Sequence, residues 1–529
     1  MGSSLSCGHQ AVSSTPDASE SIEQETPAGT DWWKDAVFYE IFVRSFADSD
    51  GDGVGDFVGM TEKLDVLNDG DPSTNTDLGV TGIWLMPIHR SPSYHGYDVL
   101  DYRSVNPDYG TLAEFEAFLE AAEARGIRVI IDFVMNHSSV QHPWFTSART
   151  GPDSPYRAFY SWRDTNPGWT QPWGSGPVWH QTSSGYYYGL FWSGMPDLNL
   201  ANPEVESELV GAMDFWLDKG VAGFRVDAAR HFFESEDGVL SDQPESHAFF
   251  KSVRRGLAEH PEALYVAEVW TNKRTVNEFY GDGGDEFQLA FGFDTAGAIL
   301  ESANDGTRAG FEQNLRSAAS IYDDLAFEAP FLTNHDMPRV MRILGGDPGK
   351  MRVAAAALFA VPGTPFVYYG EELGMLGGPS DRDEDKRTPM RWDAAAPNGG
   401  FSSATPWHTA QEEDGVSIAA QRDTEGSLWT LYRDLIRLRR TQASLTIGDI
   451  ELPPREGGGR GGTAVLRSFD GRRVLFVANF DGSASGPMTV DVDGAANRLL
   501  GEGLTRVEAE DGGLKVELEA HGFGFLAVD

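Results

Sequence analysis

Short apolar runs alternate with stretches of helical periodicity between residues 32 and 440. The runs are rich in β-branched and aromatic residues, which is typical of strands buried on both faces of a sheet. Because strands that alternate with helices form parallel sheets, the pattern predicts an α/β fold, a (β/α)8 TIM barrel. Its strands are predicted at residues 36–42, 82–86, 127–134, 223–226, 264–267, 287–293, 329–332 and 365–369.

Two segments depart from this alternation. Between residues 138 and 203, Trp, Tyr, Gly and Pro are dense and helical periodicity is absent, which indicates an insertion domain after the third strand. After residue 443 short alternating strands with Gly and Asp turns indicate a C-terminal all-β sandwich domain. We therefore predict a flexible N-terminal tether at 1–30, the barrel at 31–137 and 204–443, the insertion at 138–203 and the β domain at 444–529.

Charge restricts the partners of this chain. It has 81 acidic and 41 basic residues and a formal net charge of −40. Such a charge repels phosphate backbones and anionic lipids, which argues against nucleic acid as a partner and suits a neutral ligand such as a sugar. No apolar run approaches the about 20 residues that a membrane-spanning helix requires. We expect a monomer.

Cys7 is the single cysteine, which excludes an internal disulfide framework and a cysteine-based metal site. It lies in an LSCG motif that is followed by a Ser/Thr/Glu/Pro-rich stretch. The arrangement resembles the cleavage site of a bacterial lipoprotein, although Ser4 stands where that pattern usually has Leu. Two alternatives therefore stay open: a lipid anchor at Cys7 on a secreted, periplasmic or cell-surface protein, and an incidental cysteine in a tail.

Three carboxylates share one local context. Asp227, Glu268 and Asp336 each lie at or just after the carboxyl end of a predicted apolar strand. Barrel enzymes keep their reactive groups at that end of the strands. Each carboxylate alone is equally well explained as a helix cap or a structural ion pair, but three in the same context predict one site.

Asp227 and Glu268 suit the chemistry of glycoside hydrolysis with retention. That reaction needs one carboxylate to attack the anomeric carbon and one carboxylic acid to protonate the leaving oxygen. Arg225 lies two positions before Asp227, on the same face of the strand, where its charge would keep the nucleophile ionised. Glu268 has apolar neighbours in sequence, which would raise its pKa as a general acid requires.

Five sequence blocks identify a family. They are DFVMNH at 132–137, MPDLN at 195–199, GFRVDAARH at 223–231, EVW at 268–270 and FLTNHD at 331–336. On these blocks the chain resembles the α-amylase family of glycoside hydrolases, over nearly its whole length from residue 32. The MPDLN block marks an intermediary group between the oligo-1,6-glucosidase and the neopullulanase or amylase types.

The resemblance implies roles for the three carboxylates: Asp227 as nucleophile, Glu268 as acid/base, and Asp336 as the group that binds sugar hydroxyls and stabilises the transition state. It also implies that the substrate is bound by Tyr97, Asp98, His137, Arg225, Arg230, His231, His335 and Arg387. A lone histidine would more simply be structural, but within these blocks His137 and His335 match sugar-binding residues. Tyr97 matches the aromatic residue that stacks on the sugar at the cleavage site.

Acidic residues alternate with glycines in one loop after the first strand, which lets a tight turn direct several oxygens inward, as calcium prefers. The loop differs from an EF-hand because its twelfth position is Gly59 rather than Glu. It resembles the calcium loop of the oligosaccharide-cleaving branch of the family, and the alternative is a solvated acidic turn. We predict a structural Ca²⁺ held by Asp48, Asp50, Asp52, the carbonyl of Val54, and Asp56. A second calcium would have to use Asn136, Asp197 and the carbonyl of His231, and these are left out of the predicted ligand set.

Specificity features point in two directions. The loop at Asp48 and the phrases at 136–145 and 388–393 resemble oligo-1,6-glucosidases and trehalose synthases. Ala228 stands where α-1,6-specific relatives usually carry Val, and Arg230-His231 stands where α-amylases have a Lys-His pair on the leaving-group side. Asp98 and Arg387 match the pair that clamps a terminal glucose in exo-acting relatives; if they meet here, further subsites would be blocked.

These features together predict a retaining enzyme that cleaves α-1,4-glucosidic bonds of starch, maltodextrins and related maltooligosaccharides through a covalent intermediate. The alternative is an exo-acting α-glucosidase or transglucosidase, or an enzyme similar to trehalose synthase, on short α-glucosides. A second alternative is a catalytically inactive carbohydrate-binding or ancillary subunit. Inactive relatives lack the intact set of three carboxylates, which is present here.

Overall fold

The computed structural model describes residues 31–322, 324, 328–409, 412–510 and 512–529. The predicted tether at 1–30, with Cys7, lies outside the described residues, so the lipid anchor stays a prediction. No helix within the described ranges is both long and apolar enough to span a lipid bilayer.

Eight parallel strands form the barrel, as predicted. Each strand pairs with its neighbour in sequence from β1 to β7, and β8 pairs with β1. Two backbone hydrogen bonds close the ring between β7 and β8, from Thr364 to Glu328 and from Phe366 to Pro330, both 2.9 Å. The strands are β1 Phe38–Ile41, β2 Gly82–Leu85, β3 Arg128–Phe133, β4 Gly223–Val226, β5 Leu264–Ala267, β6 Leu289–Phe291, β7 Glu328–Ala329 and β8 Phe366–Tyr368.

The seventh strand is shorter and begins earlier than the sequence suggested. Regular pairing ends at Ala329, because Pro330 has no backbone N–H to donate to a neighbouring strand. The chain nevertheless continues along the barrel wall, since the Pro330 carbonyl accepts from Phe366.

Side chains alternate between two buried layers. Along β1, Phe38 packs in the barrel interior, where it stacks on Phe366 with ring centroids 4.5 Å apart. Tyr39 and Ile41 pack in the layer between strands and helices. Side chains at every second position of a strand point to the same face of the sheet. Glu40 therefore points into the barrel interior, as Phe38 does, and lies nearer the carboxyl end of the barrel.

Helices cover the barrel. Helix Leu112–Glu123 begins with a capping box of Thr111 and Glu114, and helix Pro203–Asp218 begins at the Asn202 cap with proline in its first turn. The helices outside the insertion are Phe57–Glu62, Leu64–Leu67, Leu112–Glu123, Pro203–Asp218, Pro244–Gly256, Lys273–Glu278, Phe293–Asp305, Ala309–Ile321, Val340–Ile343, Pro348–Ala360, Asp383–Lys386, Ile418–Gln421, Leu428–Thr441 and Ala443–Thr446.

The insertion after β3 contains one short helix, Pro143–Ala148, and a small antiparallel sheet of strands Trp162–Arg163, Trp179–Thr182 and Gly185–Tyr188. A buried aromatic group that includes Trp179 and Tyr188 holds this sheet together. Leu240 from the barrel part of the chain also packs in this group, so the small core joins the insertion to the barrel.

The C-terminal part is all-β, as predicted, and its strands belong to one antiparallel sheet. Its strands are β9 Asp449–Glu451, β10 Arg455–Gly457, β11 Gly462–Phe469, β12 Arg472–Asn479, β13 Met488–Val490, β14 Ala496–Glu510 and β15 Gly513–Val528. Strand β15 pairs with β13 through its first half and with β12 through its second half. On β12, Phe476 and Ala478 pack in the core shared with the barrel, whereas Leu475 and Val477 pack in a separate core.

Candidate active site

One buried arginine organises the carboxyl end of the barrel. Arg225 is the inward-facing residue of β4, between Phe224 and Val226, which face the helices. Its Nη1 donates to both carboxylate oxygens of Asp132, at 2.9 Å, and to Asp227 Oδ1, at 2.7 Å. Its Nη2 lies 2.8 Å from Glu268 Oε2. A fully buried cation is stable only when it is paired, and here three carboxylates from β3, β4 and β5 surround it.

The backbone turns sharply after the second of these carboxylates. Ala228 has φ 52° and ψ 34°, a left-handed conformation that is uncommon for a residue with a side chain. The turn directs the Ala228 amide to donate to Glu268 Oε2 at 2.9 Å. The Asp227 and Glu268 side chains are 12% and 15% exposed, whereas Asp132 is fully buried. Only Asp227 and Glu268 of the three can therefore reach a bound molecule.

Burial raises the pKa of Asp227 and of Glu268, and Arg225 opposes the rise in both. For Glu268 the negative charges of Asp227 and Asp336 raise the pKa further. Asp227 accepts the hydrogen bond from Arg225, which favours its ionised form. Burial also raises the pKa of Asp132, to about 7, but only Asp227 and Glu268 reach a bound molecule. Of these two, Glu268 is the better proton carrier, which gives one nucleophilic carboxylate and one acid.

A second hydrogen-bonded chain lies beside the first. His335 Nδ1 donates to Glu40 Oε1 at 2.6 Å, and its Nε2 lies 3.1 Å from Asp336 Oδ2 and 2.6 Å from the hydroxyl of Tyr97. That hydroxyl donates to Asp132 Oδ2 at 3.0 Å. The chain connects Asp336 to the carboxylates around Arg225.

His335 is a cation at neutral pH. Burial disfavours its charged form, but the carboxylates of Asp336 and Glu40 outweigh burial and raise its pKa to about 9. Burial also opposes ionisation of Asp336, yet His335 and Arg387 hold its pKa well below the usual range. Asp336 is therefore a stable anion, and its side chain is 35% exposed.

This pair predicts a stability profile. The pKa of His335 rises from 6.5 to about 9 on folding, so its contribution of about 3 kcal/mol is fully present below pH 6.5 and is lost as pH rises through 9. In His335→Gln that contribution is absent at every pH. The difference in unfolding free energy between wild type and variant, measured by denaturant titration, should therefore shrink from pH 6 to pH 9.5. A difference that stays constant would contradict the assignment.

Arg387 and Asp98 are both present but do not pair. Arg387 Nη2 donates to Asp336 Oδ1 at 2.9 Å, and its Nε donates to the His335 carbonyl at 3.0 Å. Asp98 instead accepts from the hydroxyls of Ser91, at 2.7 Å, and Ser93. Of the ion pairs between described residues, none joins Asp98 to Arg387. The pairing that would block further subsites is therefore not formed.

Arg230 has protein partners. Its Nε donates to Asp242 Oδ1 at 3.1 Å, and its Nη1 donates to the carbonyl of Trp270 at 2.8 Å. Trp270 follows Glu268 by two residues, is 51% exposed and stacks on Phe293 with centroids 4.5 Å apart. Arg230 thus holds an exposed indole near the acid/base candidate.

The two remaining predicted histidines lie on the insertion side of the site. His137 Nε2 is buried and has no hydrogen-bond partner among the described residues, and burial lowers the pKa of His137 to about 3, so the ring is neutral. His231 Nδ1 donates to the Leu240 carbonyl at 2.8 Å. Phe191 lies 5.2 Å from His137, and the half-exposed Trp173 stacks on Phe191. These rings form an apolar wall beside the polar groups.

Asp132, Glu40 and Trp270 were not among the site residues predicted from the sequence. Glu40 and Asp132 are charged residues inside predicted apolar strands. Because a buried charge needs a partner, their position in the sequence could have indicated a polar site inside the barrel. The exposure of Trp270 depends on packing and had no counterpart in the sequence pattern.

The acidic loop brings together three of its predicted ligands. Carboxylate oxygens of Asp48, Asp50 and Asp52 lie within 4.8 Å of one another. Asp56 lies outside this group: it caps helix Phe57–Glu62 and accepts from the amides of Gly59 and Ser49, both at 2.7 Å. Three converging carboxylates fit a hard divalent cation.

The residues of the second calcium site are arranged differently. Asn136 Nδ2 donates to Asp197 Oδ2 at 2.9 Å, and Asp197 Oδ1 accepts from the Leu190 amide at 2.9 Å. An amide N–H and not an oxygen faces the carboxylate. The Asn136 and Asp197 side chains are therefore hydrogen-bonded to each other, and no ligand role is derived for these residues.

Residues 40–448 match the family model described as the catalytic domain of alpha-amylase. An alpha-amylase 3 from Dictyoglomus thermophilum is 37% identical over 427 residues, 79% of this chain and 80% of that protein. A trehalose synthase/amylase TreS from Mycolicibacterium smegmatis is 35% identical over 482 residues, 80% of this chain and 78% of that protein.

The fold is also similar to that of a solved alpha-amylase from H. orenii. The TM-score is 0.83 at 39% sequence identity, and the match covers 93% of this chain and 99% of that one. The similarity therefore extends over nearly the whole described structure.

Proposed function

Because the chain belongs to the α-amylase family of glycoside hydrolases, we propose that it hydrolyses α-1,4-glucosidic bonds of starch, maltodextrins and maltooligosaccharides with retention of configuration. The observation that carries this proposal is that Asp227 and Glu268 contact the two terminal nitrogens, Nη1 and Nη2, of the buried Arg225 guanidinium. That arrangement holds a nucleophile and an acid side by side, as retaining hydrolysis requires.

The reaction proceeds in two displacements. Asp227 attacks the anomeric carbon while Glu268 gives its proton to the glycosidic oxygen, which leaves with the aglycone portion of the chain. Glu268, now ionised, removes a proton from water, and the resulting hydroxide displaces Asp227 from the glycosyl ester. Two inversions give a product of the original α configuration.

The remaining groups bind the sugar at the cleavage point. Asp336 is a partly exposed anion suited to accept from two sugar hydroxyls, and Arg387 and His335 fix its orientation. His137 has a free buried nitrogen to offer to a hydroxyl. Tyr97, held by Asp132 and His335, presents a ring for stacking.

Internal cleavage is supported by the separate hydrogen bonding of Asp98 and Arg387. With Asp98 bonded to serines and Arg387 bonded to Asp336, no ion pair between them crosses the non-reducing side of the site. The half-exposed indole of Trp270 offers a flat apolar surface to a glucose unit on the leaving side. A chain that continues in both directions is therefore accommodated.

The alternative is an exo-acting glucosidase, a transglucosidase or a trehalose-synthase type of activity on short α-glucosides. It is favoured by the 35% identity to a protein named trehalose synthase/amylase. Both hypotheses use the same three carboxylates. They differ in the fate of the glycosyl ester after the first displacement and in how the chain is bound.

The early products from maltoheptaose discriminate the two. Internal cleavage should give maltotriose and maltotetraose first, in the α-anomeric form when monitored by NMR. Glucose as the sole early product would overturn internal cleavage, and accumulation of trehalose from maltose would support the alternative. Initial β-product would refute retention. The same digest with Asp227→Asn shows which products depend on the site.

We further propose that the acidic loop holds a structural Ca²⁺ through Asp48, Asp50 and Asp52, with the Val54 carbonyl as a further ligand implied by the family. Asp56, which the family pattern also implies, instead caps the following helix. The ion supplies positive charge to a cluster of like charges and takes no part in the reaction. The loop contacts a distant segment, since the Asp48 amide donates to the Phe401 carbonyl and its carboxylate accepts from Ser402. Calcium would therefore stabilise the packing of the two segments.

Removal of this ion should lower the melting temperature. Chelator-treated protein should melt lower than protein in Ca²⁺, and Asp50→Asn should weaken Ca²⁺ binding by at least about tenfold. Asp71→Asn, in a second acidic loop outside the group, is the matched control and should bind as wild type does. A melting temperature that is the same with chelator and with Ca²⁺ would contradict the proposal.

A further inference from the structure

A second group of potential metal ligands lies at the opposite end of the barrel. Within the described residues, two groups of three or more His, Cys, Asp or Glu side chains have ligand atoms within 4.8 Å of one another. One is the acidic loop, and the other is Asp214, Asp218 and His260, which we name the barrel-floor group. These three residues have no role in the proposed hydrolysis.

The barrel-floor group joins two neighbouring elements. Asp214 and Asp218 lie one turn apart near the end of helix Pro203–Asp218, just before β4 begins at Gly223. His260 lies in the loop just before β5 begins at Leu264. Both strands carry catalytic carboxylates at their other ends. The group is therefore on the closed face of the barrel, where barrel folds place features for stability and not chemistry.

A single imidazole nitrogen faces both carboxylates. His260 Nε2 lies 3.0 Å from Asp214 Oδ1 and 3.8 Å from Asp218 Oδ1, and the His260 side chain is 19% exposed. Ligand atoms at Zn²⁺ stand about 2.0–2.2 Å from the ion, on three corners of a tetrahedron. The short separations of these three atoms suit one such ion with little rearrangement.

The electrostatics of the helix end favour a cation at this point. Two carboxylates one turn apart repel each other, and both lie at the helix end that carries the negative end of the dipole. No basic residue occurs in the last turn of this helix. Lys219 comes directly after it, but its Nζ pairs with Glu116 Oε1. Among the ion pairs between described residues, Asp214 and Asp218 pair with His260 alone.

We propose that Asp214, Asp218 and His260 bind one Zn²⁺ ion that joins helix Pro203–Asp218 to the loop before β5. A nitrogen ligand together with carboxylates selects a borderline transition ion over calcium or magnesium, which prefer oxygen alone. The ion takes the lone pair of His260 Nε2, so a proton on this nitrogen moves to Nδ1 or is released to solvent, and a water molecule occupies the fourth position. The ion fixes the starting points of β4 and β5 and stabilises the barrel without entering the reaction.

Isothermal titration with Zn²⁺ tests this proposal. Full-length protein is freed of metal with a chelator and titrated in buffer that contains Ca²⁺, so that the acidic loop does not compete. Wild type should bind one equivalent, and its melting temperature should rise. His260→Asn and Asp218→Asn should each weaken binding by at least about tenfold. Asp282→Asn, whose 95% exposed side chain lies outside both groups, is the control and should bind as wild type does.

The choice of variants keeps the test decisive. Asp218→Asn leaves the 3.0 Å contact between His260 and Asp214 in place, so it should fold even if His260→Asn does not. Replacement of Zn²⁺ by Co²⁺ gives a second readout, because a visible absorption band from a low-symmetry cobalt site should appear in wild type and disappear in Asp218→Asn. Equal Zn²⁺ affinity in wild type and Asp218→Asn, or no binding in either, would show an ordinary ion-pair network and overturn the proposal. Neither readout depends on hydrolysis.

Discussion

Asp227→Asn should lower the turnover number on soluble starch by at least about 10⁴-fold, as loss of the nucleophile does in enzymes that act through a covalent intermediate. Asparagine has nearly the same shape, and its side-chain oxygen can still accept from Arg225 Nη1, which lies 2.7 Å from Asp227 Oδ1. It has no negative charge with which to attack the anomeric carbon. The substitution therefore removes the nucleophile and keeps the hydrogen bond from Arg225.

The control for this variant is Asp282→Asn, the same substitution at a residue whose side chain is 95% exposed and pairs only at the surface with Lys251. It should retain wild-type turnover. Reducing-sugar release measures both variants, and melting curves show that Asp227→Asn is folded. Release within tenfold of wild type by folded Asp227→Asn would remove Asp227 from the mechanism, whereas absence of release by wild type would leave the protein as a binding module.

The barrel and the convergence of its carboxylates were predictable from local pattern. Buried parallel strands have apolar runs that need no knowledge of distant residues. Once Asp227, Glu268 and Asp336 are assigned to strand ends, the barrel topology brings them to one face. The structure adds that Arg225 contacts three carboxylates at once, by hydrogen bonds to Asp132 and Asp227 and by an ion pair with Glu268.

Contacts between distant loops were not predictable in the same way. Arg230 was assigned to the substrate, but the structure pairs it with Asp242 and with the carbonyl of Trp270. Asp242 lies in a loop with no regular pattern, and it has a positive φ of 55°. Its position relative to Arg230 depends on how that loop packs, and spacing in sequence contains no information about it. Asp98 and Arg387 illustrate the same limit, since the choice between pairing and separate hydrogen bonding is made by Ser91, Ser93 and Asp336.

The two chains of hydrogen bonds separate the charges that the reaction needs. Around Arg225 there is one cation for three carboxylates, and burial raises the pKa of all three, so a proton is readily held there. In the second group, His335 and Arg387 are two cations for the carboxylates of Glu40 and Asp336. They hold the pKa of Asp336 low, so Asp336 stays ionised. The nucleophile and acid lie in the first group and the sugar-binding anion in the second. This division assigns different protonation states to chemically similar side chains.

Glu268→Ala should lose the acid/base and keep the nucleophile, and an added anion should restore part of its turnover. Turnover of starch should fall by about 10²- to 10⁴-fold, the usual contribution of a general acid or base. A substrate with a good leaving group, such as an α-maltosyl fluoride, should be less affected in the first displacement, because that step then needs no proton. The alkaline limb of the pH profile of wild type, which reflects loss of the Glu268 proton, should be absent from the variant.

Azide makes this prediction specific. Removal of the carboxylate leaves the Ala228 amide and Arg225 Nη2, which lie 2.9 and 2.8 Å from Glu268 Oε2, as two donors for an anion in the vacated space. Azide held there needs no general base, so it should attack the glycosyl ester of Asp227 and restore turnover of the fluoride. The product should be an α-glycosyl azide, because attack on the β-linked ester inverts the configuration again. A β-azide would show that the Asp227 ester was never formed, and absence of rescue in a folded variant would assign the proton transfer to another group.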